Sequence, residues 1–118
     1  MDQPGVPSTL ERHVRWPDDD VWVYDELDAD GWCLRHIEVH AGDGRISAAG
    51  SLAEVVAARD SGGAGAVAAY EALYGVVPEG QIPADADGYS LGPFSEEEFE
   101  HLWAASRAAR ERAVERGQ

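Results

Sequence analysis

The sequence predicts an α+β fold: a small antiparallel meander of three to four strands, with helices at about 51-60, 64-74 and 95-114 packed on one face. Three observations lead there. Val21 to His40 reads as two strands around a tight turn, with β-branched and aromatic residues that suit a pleated surface. From Ser51 the pattern changes to Ala-rich helical spacing behind a capping box, Ser51 with Glu54. A second box, Ser95 with Glu98, opens the last helix.

Residues 1–10, with two prolines, a glycine and a Ser-Thr pair, read as a flexible leader, and 11–118 as a single domain. Arg12 to Trp16 suits a short first strand, which Pro17 ends because it has no N–H to donate. Asp18-Asp19-Asp20 makes a charged turn before the strand Val21–Leu27. Asp28-Ala29-Asp30-Gly31 supplies turn chemistry, with Gly31 free to take a positive φ. From Trp32 to His40, strict alternation puts Cys33, Ile37 and Val39 on one face and His36, Glu38 and His40 on the other. Gly42-Asp43-Gly44 turns the chain again, into a strand at Arg45-Ile46-Ser47.

Ser51 starts a helix that carries Leu52, Val55 and Val56 and stops at Ser61-Gly62-Gly63. The next helix, Ala64 to Tyr74, ends at Gly75. Val76 to Pro93 is rich in Pro and Gly and reads as an ordered crossing loop, since Val76, Val77, Ile82, Tyr89 and Leu91 need burial. In the last helix, Glu96, Glu97 and Glu98 sit at the positive end of the dipole, and Phe99, Leu102, Trp103 and Ser106 share one face.

The charge narrows the function classes. There are 23 acids against 9 bases, a net charge of −14, and every base is arginine. Such a surface repels phosphate backbones and anionic lipid, so neither nucleic acid nor membrane is expected as a partner. A basic protein partner is. No apolar run reaches the roughly 20 residues of a membrane span, and the polar, acidic N-terminus has no signal-peptide pattern, so a cytoplasmic protein is expected. Cys33 is the single cysteine, which excludes an intrachain disulfide.

His36, Glu38 and His40 are the candidate catalytic residues, with Arg35 beside them. One such group poised near neutrality would serve general acid–base chemistry in a polar pocket, which a small ligand would fill. On a helix, His36 and His40 would share a zinc ion; on a strand they lie about 13 Å apart, so no metal site is expected. The wet face of a half-solvated sheet is the better reading of this row. Glu26 to Gly31 matches the first half of a calcium loop, but Ile37 stands where the closing glutamate belongs, and a hairpin turn is the better reading. Ser61 to Gly65 lacks the Lys-Ser/Thr of a phosphate loop. Cys33 could act as a nucleophile with His13, His36, His40 or His101 as base, but no family signature surrounds it, and a buried, inert thiol is the better reading. Trp22 and Trp32 are placed to face each other across the hairpin, or to serve as exposed anchors, while Trp103 suits the core.

Val14-Arg15-Trp16, Tyr24 to Gly31, Arg35 to Glu38, Gly44-Arg45-Ile46 and Ser95 to Trp103 together resemble a family of small acidic actinobacterial proteins of unknown function. The resemblance covers residues 14–47 and 93–105 and implies no activity. By analogy with similar small acidic proteins, the expected role is a non-catalytic protein-binding module, an immunity-type inhibitor or accessory subunit without a cofactor. It would present Asp18, Asp19, Asp20, Asp25, Glu26, Asp28, Asp30, Trp22 and Trp32 to its partner. The competing expectation is a small enzyme or ligand-binding protein built around His36, Glu38 and His40.

Overall fold

The computed structural model describes residues 12–80, 92–93 and 95–115. Strands β1 (Arg12–Asp18), β2 (Val21–Leu27), β3 (Cys33–His40) and β4 (Ile46–Ser51) form an antiparallel meander. The short β5 (Gly92–Pro93) pairs with Val14 and Arg15 on the outer side of β1, giving the order β4-β3-β2-β1-β5. Helix α1 spans Leu52–Tyr74 and α2 spans Glu96–Glu115. The fold is α+β, as the alternation and the capping boxes predict. Of the crossing-loop residues expected to be buried, Val77 is in the core, but Val76 is 61% exposed, because adjacent side chains on an extended segment point opposite ways; the leader and Ile82, Tyr89 and Leu91 lie outside the described residues.

Turn chemistry fixes the meander. Asp28 Oδ1 accepts the backbone N–H groups of Asp30 (2.9 Å) and Trp32 (3.0 Å), and Gly31 takes φ 89° to close the hairpin. Two expectations need correction here. Pro17 does not end β1: it lies within the strand, opposite Trp22, where the loss of one donor near a hairpin end is tolerable. The fourth strand also runs on through Ala48-Ala49-Gly50. These small residues admit close neighbours: a Cβ on Gly50 would sit 2.6 Å from Val77 and 3.5 Å from Tyr70.

The strict alternation of β3 is corrected too. Glu26 pairs with Arg35 but Leu27 pairs with Cys33, so Leu34 is an extra residue, a β-bulge. The bulge reverses the parity of Cys33. It shares a face with His36 and Glu38, not with Ile37 and Val39.

The helices take opposite faces of the sheet rather than sharing one. Val55, Val67 and Tyr70 of α1 pack with Val14, Leu27, Cys33 and Val77. Phe99 of α2 stacks on His13, with ring centroids 4.9 Å apart, and lies under the Arg35 guanidinium. His13 and Val14 are neighbours on β1, so their side chains leave the sheet on opposite sides. Leu27, Ile37, Val55 and Phe99 are fully or almost fully buried. Each contributes about 1.5–3 kcal/mol of apolar transfer.

α1 is a single stretch in name only. Gly63 has φ 68° and ψ −153°, which breaks the helix where Ser61-Gly62-Gly63 predicts a stop. In a straight helix, residues 54 and 70 would stand about 24 Å apart. Here the Tyr70 hydroxyl donates to Glu54, so the two arms fold back on each other. Arg107 of α2 pairs with the same Glu54 (2.6 Å), and Arg110 donates to the Leu73 carbonyl (2.7 Å). These contacts tie both helices together around the β4 side of the sheet.

Candidate functional site

The buried polar residues sit where β2 and β3 pair. Asp25 is opposite His36 in the register, and the bulge brings Cys33 to the same place. Their relative exposures are 1%, 3% and 0%. Asp25 Oδ1 lies 2.6 Å from His36 Nδ1 and accepts the Cys33 thiol at 3.3 Å. Asp25 Oδ2 accepts the Trp16 indole N–H at 3.0 Å. On the far side of the ring, His36 Nε2 is 2.8 Å from Glu38 Oε2, and Glu38 Oε1 accepts the Ser47 hydroxyl at 3.1 Å. A chain of hydrogen bonds therefore runs from Trp16 on β1 to Ser47 on β4, across all four meander strands.

With a carboxylate at each ring nitrogen, both nitrogens donate and His36 is an imidazolium. Burial works against that charge, but the hydrogen bonds to Asp25 and Glu38 outweigh it and raise the pKa from 6.5 to about 9. His36 in turn holds the Glu38 carboxyl below its ordinary range, against the effect of burial. Burial first, and the Asp25 carboxylate second, push the Cys33 thiol well above the ordinary cysteine range. A thiol so placed is no nucleophile. His36 thus sits as a donor between two carboxylates.

His40 stands apart from it. Its ring lies 3.2 Å from the Arg45 guanidinium, and it lines a shallow cavity of about 340 Å³ with Asp20, Ala41, Gly42 and Asp43. Arg35 is on the opposite face of the sheet. Its guanidinium donates to Glu26 at 2.7 Å, also pairs with Glu100, and lies over the Phe99 and Trp103 rings at 4.9 and 5.1 Å. His36 and Glu38 thus come together, and His40 and Arg35 do not join them.

The expected acidic edge divides in a similar way. Asp25 and Glu26 are buried rather than presented: Asp25 belongs to the cluster above, and Glu26 bonds Arg35 and His13. Burial works against ionisation of Glu26, but its hydrogen bonds to Arg35 and His13 win and hold its carboxyl low. Asp18, Asp19 and Asp20 are fully on the surface at the β1–β2 turn. Asp28 and Asp30 are at the β2–β3 turn, about 25 Å away along the strand. Trp22 and Trp32 are exposed, at 37% and 38%. They do not face each other, because Trp22 pairs with Val39, at the far end of the hairpin from Trp32. Instead Trp22 sits beside the three-aspartate turn, with the Arg15 guanidinium 5.1 Å from its ring. Asp43, on the β3–β4 turn, reaches the same end, where the Ala41 N–H donates to the Asp20 carbonyl at 2.8 Å.

Sequence reasoning missed that Asp25, Cys33 and His36 meet. The spacing of Cys33 and His36 puts them on opposite faces of a regular strand, and only the bulge reunites them. No protein-family model matches the chain, and comparison with curated proteins and with solved structures finds no match either.

Proposed function

We propose that this chain is a non-catalytic protein-binding module that engages a basic partner, as an immunity-type inhibitor or accessory subunit does. The observation that carries the reading is the end of the sheet where Trp22 lies exposed beside Asp18, Asp19, Asp20 and Asp43. Among the described residues, none of these four acids has an ion-pair partner. Unpaired acids accelerate encounter with a basic surface, and a rigid exposed tryptophan supplies contact area once the surfaces meet. Asp43 accepts the Arg45 N–H at 3.0 Å and Asp28 accepts those of Asp30 and Trp32, so the three aspartates of the β1–β2 turn carry the patch.

The test removes charge without breaking the turn. Asp19 has φ 55°, a conformation asparagine also tolerates, so Asp18→Asn, Asp19→Asn and Asp20→Asn keep the backbone. Wild type and the triple variant are used as bait in extract of the source cells, at low and high salt. A basic protein held by wild type, released by salt and bound at least tenfold more slowly by the triple variant supports the reading. A partner held equally by both proteins overturns the role of this end.

A further inference from the structure

We propose that Asp25, Cys33 and His36 form a binding site for one divalent transition-metal ion of zinc-like chemistry. Each offers one ligand atom, a carboxylate oxygen, Sγ and Nδ1, and the three atoms lie within 4.8 Å of one another. Ligand atoms around a tetrahedral zinc ion stand about 3.5 Å apart. The observed separations of 2.6 Å (Asp25 to His36) and 3.3 Å (Asp25 to Cys33) need only a small opening to admit the ion. A thiolate, an imidazole and a carboxylate make the mixed soft and borderline set that zinc and cobalt accept and magnesium or calcium does not.

Two further features fit a metal site better than a plain ion pair. The outer atoms of the ligands are already oriented. Glu38 holds His36 Nε2 at 2.8 Å, the carboxylate–histidine arrangement that fixes a ligating ring, and Trp16 holds the second oxygen of Asp25 at 3.0 Å. Charge also balances. A divalent ion takes the place of two protons, the one on Sγ and the one on Nδ1, so the core gains no net charge when it binds. Coordination deprotonates the thiol, which otherwise stays protonated. The nearest fourth donor is the Arg35 carbonyl oxygen, 3.4 Å from Sγ.

Cobalt(II) tests the site directly. The full-length protein is treated with a chelator and a thiol reductant, exchanged into clean buffer, and titrated with Co²⁺. One equivalent should develop a thiolate-to-cobalt charge-transfer band and tetrahedral d–d bands, and Zn²⁺ should abolish both. About two protons should be released per ion near neutral pH. Zn²⁺ should also raise the melting temperature in a concentration-dependent way. Cys33→Ser and Asp25→Asn, checked for folding by circular dichroism, should lose the band, and His40→Ala should keep it. If a core variant does not fold, the wild-type band alone decides. Absence of a thiolate band in the wild type, with or without cobalt bound elsewhere, overturns the proposal, as does loss of the band in His40→Ala.

Discussion

His36 carries a positive charge into the core, and the carboxylates on either side of it determine how the metal-free fold responds to pH. Its folded pKa, about 9, lies above the unfolded value of 6.5. The folded state therefore binds the proton more tightly. The resulting stabilisation is complete below about pH 6.5 and is lost as pH rises through about 9, on the order of 3 kcal/mol in all. Urea midpoints measured with chelator from pH 6 to pH 10 should fall across that window, and His36→Gln should flatten the fall while lowering stability throughout. Glu26, Glu38 and Glu54 act in the opposite direction: each has a lowered carboxyl, so their contribution is lost as pH drops below the ordinary 4.5. Little of this was legible residue by residue. Asp25 and Glu26 look like members of the same acidic run as Asp28 and Asp30. Only a cross-strand register, which a linear pattern does not contain, separates the buried pair from the exposed one.

Local chemistry was far more legible in the elements. Ser51 Oγ accepts the Glu54 N–H at 3.3 Å, and Ser95 and Glu98 form a reciprocal box. The Gly75 N–H closes α1 on the Glu71 carbonyl at 2.8 Å. The break at Gly63 was equally plain, because glycine pairs stop helices. What a linear reading did not contain was the direction taken after the break. The backbone at Gly63 lies in a region open almost only to glycine, although nothing stands within 4 Å of where its Cβ would be. Gly65 has the same open space but lies in regular helix. Gly63→Ala should therefore cost about 1–3 kcal/mol through strain alone. Gly65→Ala should gain about 0.5–1 kcal/mol from helix propensity. Chemical denaturation of the two variants side by side checks the opposite signs. β3 gives the complementary lesson: one inserted residue, Leu34, was enough to defeat strict alternation while the four meander strands remained recognisable and the two-residue β5 did not.

For the whole molecule, a net charge of −14 sets a background of self-repulsion. The ion pairs of the described residues lie within β3 or join neighbouring strands, β3 to α2 and α1 to α2, with one more on the surface at Arg59 and Glu79, while the β1–β2 turn concentrates acids outside these pairs. Raising sodium chloride from about 10 mM to 150 mM shortens the screening length from about 30 Å to 8 Å. The melting temperature should rise over that range, and the Asp18, Asp19 and Asp20 asparagine variant should show a smaller rise. No helix among the described residues is long and apolar enough to cross a membrane. Among the described residues, the β4 edge of the sheet lies against both helices, and the outer edge of β1 is paired at Val14 and Arg15 by the two residues of β5. Beyond that short pairing, a bare strand would invite another chain to add itself and grow into an aggregate. Pro17 contributes no hydrogen-bond donor there, and Asp18 follows it with a charge. Like-charged copies meeting along this margin would find a broken ladder and mutual repulsion, which disfavours strand addition at Pro17 and Asp18.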